Sequence, residues 1–203
     1  VPGGMFLWWF LQAVRPLVED GYTAWVVTRK QDMPKGYSIA DMADDYGQVI
    51  ADEFDGKADL VLGESTGGQI GFYLAARHPD RFGHIAIAVA GYEESEQGKG
   101  IALTYARLLS EGRTGEAMAS MFNGMNPSWP RGVDRVLGAV MDRLMFGETH
   151  PYFASDVMVE AEAEVACDAR EVLPDIPVPV LLVCGDQDPG FSKEVYEETA
   201  RLI

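Results

Sequence analysis

Apolar and polar residues follow two rhythms along this chain. Short apolar runs of strand length, Tyr22–Thr28, Ala58–Gly63, His84–Ala90 and Val178–Cys184, are separated by stretches in which apolar residues recur every three or four positions. Three of the runs are rich in Val, Ile and Leu and almost unbroken, the pattern of strands buried on both faces of a parallel sheet. The stretches between them predict helices. The clearest opens at Ser38, whose hydroxyl can cap free amides while Asp41 sits in capping-box position, and it carries an apolar stripe of Ile39, Met42, Tyr46, Val49 and Ile50. Others run from about Met5 to Glu19, stopped by Gly21, and from about Gly67 to His78, stopped by Pro79. This alternation predicts an α/β fold, a mostly parallel central sheet with helices on both faces.

From Gly91 to about Glu171 the alternation lapses into helical pattern alone, near Ile101–Ser110, Glu116–Phe122, Val133–Phe146 and Ser155–Ala166. A helical insertion between two strands of a parallel sheet is expected to cover the carboxyl ends of the strands, where ligands bind. The organisation expected is therefore a core of residues 1–91 and 172–203 with a helical cap of residues 92–171.

Charge narrows the choice of partner. Asp and Glu number 32 against 16 Lys and Arg, a net charge of −16, so nucleic acid and anionic membrane surfaces are repelled and a small-molecule partner is expected. The acidic residues cluster at Asp41–Asp55 and Glu160–Glu171, where helical periodicity reads them as solvated faces. The two cysteines, Cys167 and Cys184, lack the spacing of a zinc site, so no metal is expected and a reducing compartment, the cytoplasm, is the default. The longest apolar run, Met5–Leu11, falls well short of the roughly 20 residues that span a bilayer.

One segment carries chemistry. Directly after the run Ala58–Leu62 comes Gly63-Glu64-Ser65-Thr66-Gly67-Gly68, and directly after that a helix. This is a G-x-S-x-G turn in the strand-to-helix context it requires. A bend so tight strains the serine backbone and predicts collisions two positions either side, which glycine at 63 and 67 would relieve. Gly67, Gly68 and Gly71 would also let the helix pack closely on the sheet. Ser65 is thus the candidate nucleophile.

The segment Val61–Gly91, with GESTGG, the helix ending Ala75-Ala76-Arg77-His78-Pro79-Asp80-Arg81-Phe82 and the strand after it, resembles the core of the α/β-hydrolase family, and the resemblance extends over most of the chain. It implies a serine hydrolase working without cofactor through a Ser-acid-His triad in that chain order. Gly185-Asp186-Gln187-Asp188 is similar to the family's G-x-x-D turn, which makes Asp188 the acid, with Asp186 its neighbour in contention and Glu93 or Glu94 the choice in relatives that carry the acid after the sixth strand. The resemblance also implies an oxyanion hole from the amide of Thr66 and one from the loop ending Pro2-Gly3-Gly4, at Val1.

The triad's histidine is the missing part. His78 lies 13 residues beyond Ser65, about 20 Å along a helix. His84 opens a strand and belongs at the opposite edge of the sheet, and His150 reaches the site only if the cap folds onto it. The family's own histidine follows an eighth strand, so the resemblance implies that the base, the first strands and the last strand and helix lie outside these residues. Glu64, Phe6, Trp9, Met121 and Met145 are candidates for the pocket wall; the methionines would suit an apolar acyl or alcohol group, or they pack cap helices together. The reaction expected is cleavage of a small hydrophobic ester or lactone through an acyl-enzyme. Amide or C–C bond hydrolysis and ligand binding without turnover are the alternatives.

Overall fold

The computed structural model describes residues 4–126, 128–130, 132–145 and 150–203, apart from the side chains of residues 5–7, 9, 10 and 143–145. Three parallel strands, β1 (Ala58–Glu64), β2 (Phe82–Ala88) and β3 (Val180–Val183), lie side by side in that order. Val61 pairs with Ile85 and Ile85 with Val180, while Gly63, Ile87 and Leu182 form the next row. These rows face inward, and Ile85 and Ile87 are fully buried. The alternate positions Leu60, Leu62, Leu181 and Val183 are exposed among the described residues. The fold class read from the sequence, α/β with a parallel sheet, is the one observed.

Helix α1 (Gly4–Glu19) packs on a later helix, α6 (Val133–Met145). Helix α2 (Ile39–Glu53) starts as its sequence predicts: the Asp41 amide donates to Ser38 Oγ at 3.1 Å and the Ser38 amide returns the bond to Asp41 Oδ2 at 2.9 Å. Its stripe of Ile39, Met42 and Ile50 enters the core beside α3 (Thr66–Arg77). Between β2 and β3 the chain makes a wholly helical excursion, α4 (Glu96–Ser110), α5 (Thr114–Met125), α6 (Val133–Met145) and α7 (Phe153–Val165), and α8 (Lys193–Leu202) follows β3. Helix α7 belongs to two cores. Val159 and Ala163 join the main one, and Val157 packs with Leu108, Leu109 and Ala117 in a smaller one.

Two expectations need correction. Residues Tyr22–Thr28 form no strand; they have the composition of one, but no described strand lies beside them, and Trp25 is 67% exposed with Phe54 against its edge. A β-strand is held by its ladder rather than by its residues, so an unpaired run stays irregular. Within Glu160–Glu171 the acids Glu162, Asp168 and Glu171 are exposed as expected, but Glu164 is not, and neither is Asp156 earlier on α7. Asp156 and Glu164 are buried, because each has partners: Asp156 accepts the amides of Asp32 and Met33 at 3.0 and 2.9 Å, and Glu164 accepts a hydroxyl from α3. Between them Glu160 pairs with Arg29. The acids at 41–55 behave as predicted, with Asp41, Asp44 and Asp52 exposed.

Candidate active site

Ser65 belongs to strand and helix at once. Its amide donates to Ala88 O at 3.0 Å, extending the β1–β2 ladder by one residue, while its carbonyl accepts from Gly68 N at 2.8 Å and Gln69 N at 3.1 Å to begin α3. Meeting both demands sets φ at 53° and ψ at −121°, a conformation costing about 1–3 kcal/mol for a residue with a Cβ. The side chain is exposed at the carboxyl edge of the sheet, not sealed inside.

The surrounding glycines divide. A Cβ on Gly63 would sit 2.9 Å from the Gly67 carbonyl carbon and closer still to its oxygen, so glycine is obligatory there. On Gly68 it would meet Ala90 Cβ at 2.5 Å, and on Gly71 Ile85 Cδ1 at 3.1 Å, which explains how closely α3 lies on β2. Gly67 differs from the expectation: nothing lies within 4 Å of a Cβ placed there. Thr66 occupies the first turn of α3, where amides have no partner within the helix, so its N–H beside Ser65 is free to meet an anion.

Asp188 lies in the loop after β3, and Ser65 in the turn after β1, with β2 between the two strands. Its carboxylate is fixed on three sides. Gly190 N and Phe191 N donate to Oδ1 at 2.8 and 3.3 Å, and the Tyr196 hydroxyl of α8 donates to Oδ2 at 2.5 Å. Burial first, then this bond to a carboxylate, drives the Tyr196 hydroxyl pKa upward, so it remains a donor. Asp186 is exposed with no such harness. Glu64 ends β1, exposed, opposite Ala88.

The histidines are elsewhere. His78 caps α3, with Nε2 2.8 Å from Asp44 Oδ1; His84 is exposed beside Leu60 in the amino half of the sheet; His150 has Nε2 3.9 Å from Asp156 Oδ2 at the start of α7. Val1 lies outside the described residues, as do the side chains of Phe6, Trp9 and Met145. Met121 is half-buried on α5, which packs against α4 and α6. A cleft of about 190 Å³ does open in the molecule, but Tyr37, Ile39, Tyr73, Val159 and Cys167 line it, rather than Ser65 or Asp188. Among the described residues, no cluster of side chains suits a metal ion.

Across residues 1–203 the chain matches the model of the "Alpha/beta hydrolase family". It belongs to that family. A relative of this α/β-hydrolase chain, the pimeloyl-[acyl-carrier protein] methyl ester esterase of Neisseria meningitidis serogroup C, is 27% identical over 150 residues, covering 69% of this chain and 55% of the relative. The protein of the same name from serogroup B is 29% identical over 158 residues, covering 68% and 54%. The chain thus spans about half the length of the curated relatives it matches. Among solved structures, the esterase EaEST from Exiguobacterium antarcticum aligns with a TM-score of 0.69 at 20% identity, covering 96% of this chain and 74% of that one. The enol-lactonase from Burkholderia xenovorans aligns at 0.62 and 24% identity, covering 84% and 63%. These two likenesses are of fold.

The brace from Tyr196 and the burial of Glu164 escaped the sequence reading, and Glu94, there only an alternative acid, is buried as well. Tyr196 stands eight residues from Asp188, a spacing that has meaning only once α8 folds back over the turn. Burial, and then Glu164 beside it, pushes the Glu94 carboxyl up to about 8. Burial also raises Glu164, against the Thr66 hydroxyl, the Glu94 hydrogen bond and Arg29. The sequence signal was Asp156-x₃-Glu160-x₃-Glu164, three acids on one helix face among alanines and valines. Val89 is a further surprise, a β-branched residue at φ 48° just beyond β2, held by its amide bond to Val183 O at 2.9 Å.

Proposed function

We propose that this α/β-hydrolase chain carries the nucleophile and the acid of a serine esterase acting on a small hydrophobic ester or lactone. The observation that carries the reading is the backbone of Ser65, held in a strained turn that presents its hydroxyl at the carboxyl edge of the sheet. Such strain persists only where surrounding structure over-determines it, and it clusters at working sites. The esterase names of the curated relatives agree with it.

In this mechanism Ser65 Oγ attacks the ester carbonyl and gives its proton to a histidine. That histidine is none of His78, His84 and His150; it is the one the family places after its last strand. Asp188, held by Gly190, Phe191 and Tyr196, orients the imidazole and stabilises its charged form. The oxyanion settles on the Thr66 amide, a contact of the kind worth roughly 3 to 4 kcal/mol in the transition state. The alcohol leaves with the proton, and water repeats the sequence on the acyl-enzyme. The α4–α7 excursion serves as the cap over this edge, and no cofactor enters.

The test is pre-steady-state hydrolysis of a chromogenic short-chain ester by the full-length protein. A burst of alcohol stoichiometric with the chain, abolished in Ser65→Ala, is expected; turnover unchanged in that variant would overturn the reading. The placement of all three histidines favours a second reading, a ligand-binding protein without turnover. Reversible ester binding with no alcohol release from folded protein would select it.

A further inference from the structure

The turn that carries Asp188 is gripped from outside by one residue of the helical excursion. Ser95 lies after β2 and caps α4, its Oγ accepting from Gly98 N at 3.0 Å. The same hydroxyl donates to Pro189 O at 2.6 Å, and the Ser95 amide donates to Gly190 O at 2.8 Å. Within the first turn of α4, Gly98 is buried against Gly190, where a Cβ would come within 2.9 Å of the Gly190 Cα and carbonyl oxygen. Helix α4 itself packs on α5 and α7.

These bonds act through the peptides they hold. The Pro189 carbonyl shares a peptide plane with the Gly190 N–H, and the Gly190 carbonyl shares one with the Phe191 N–H. Those two N–H groups are the ones that donate to Asp188 Oδ1, at 2.8 and 3.3 Å. A trans peptide is rigid, with its C=O and N–H pointing in opposite directions, so fixing the oxygen fixes the direction of the hydrogen. Ser95 thus holds the far end of both backbone donors to the acid, and each peptide, bonded at both ends, is polarised toward the carboxylate. The turn gains from an outside grip, because residues 184–187 are exposed and lie past the last ladder pair, Ala88 with Val183.

We propose that Ser95 is a positioning residue for Asp188: it fastens the acid turn to the start of α4 and sets the direction in which the carboxylate meets the base. Ser95 acts through the Pro189 and Gly190 peptides, not on substrate. Its catalytic meaning rests on the serine-hydrolase reading above; the grip on the turn does not.

The experiment uses the full-length protein and has two arms. The first needs no substrate and follows hydrogen exchange of the Gly190 amide by NMR. Ser95→Ala should accelerate it about fivefold, the effect of losing one neutral hydrogen bond. Ser95→Asp still caps α4 but has no hydrogen to donate to Pro189 O, so it should accelerate exchange equally, whereas Ser95→Thr should keep the parent rate. The second arm is hydrolysis of a chromogenic short-chain ester. Ser95→Ala and Ser95→Asp should lower kcat about tenfold at unchanged KM, and Ser95→Thr should restore it. Added to Asp188→Ala, Ser95→Ala should cost nothing more, because the residue it positions is already gone. An unchanged Gly190 amide in Ser95→Asp, an undiminished kcat despite a faster amide, or an equal loss of kcat without Asp188 overturns the proposal. Should Ser95→Ala fail to fold, Ser95→Asp, which keeps the cap, decides. If Ser65→Ala leaves turnover intact, the hydrolase reading falls by itself, and the exchange arm still decides the grip.

Discussion

Replacing Gly63 and Gly67 by alanine, one at a time, should move stability in opposite directions, although both belong to the same GESTGG turn. At 63 the new Cβ would approach the Gly67 carbonyl carbon to 2.9 Å and Gly68 Cα to 3.1 Å. The obstructing atoms are backbone, so no rotamer change relieves the clash; strand and helix must part by several tenths of an ångström in a close-packed layer. The expected cost is about 1–3 kcal/mol, or about 2–4 °C in Tm for each kcal/mol at this size. At 67 no atom lies within 4 Å and φ is not positive, so alanine should stabilise α3 by about 0.5–1 kcal/mol through its better helix propensity. Denaturant unfolding of both variants checks the signs, and the reactivity of Ser65 checks whether the turn moved. A Gly63→Ala protein within about 0.5 kcal/mol of the parent, with undiminished reactivity, would refute the close-approach argument.

Three other outcomes are expected. The Glu160 carboxyl is pushed up to about 7 by burial in spite of Arg29; a raised carboxyl stabilises the fold at low pH, and that contribution is lost as pH rises through 7. Arg29→Met raises it further, so thermal unfolding should show little change near pH 5 and a loss of about 1–3 kcal/mol near pH 8. Tyr196→Phe removes a donor from Asp188 and should cost about 1.5–3 kcal/mol in urea unfolding at neutral pH, with a fall in esterase activity. Ser38→Ala deletes half of a capping box and should cost about 1 kcal/mol by the same measurement, leaving Ser65 reactivity unchanged.

Features written in local pattern were legible in the sequence. The elbow is one, because a strand, two glycines around a serine and a helix are contiguous; the Ser38 cap is another, because its bonds close within three residues. The helices between β2 and β3 were legible for the same reason. What failed depended on distant partners. Tyr22–Thr28 has the side chains of a strand, but pairing decides, and none is present among the described residues. The acids of α7 look like a solvated face until Arg29, Thr66 and the amides of Asp32 and Met33, all more than 90 residues away, converge on them. The same holds for the site. Ser65 and the Asp188 turn were visible one segment at a time, whereas the Tyr196 brace and the Thr66–Glu164 bond exist only after folding.

The most direct measurement is fluorophosphonate modification of the full-length protein, read by peptide mass mapping. The account predicts a single adduct on the peptide containing Ser65, formed at neutral pH and absent from Ser65→Ala. A folded protein that takes no adduct, or one that labels equally well after the substitution, would contradict the claim that this bend presents an activated serine.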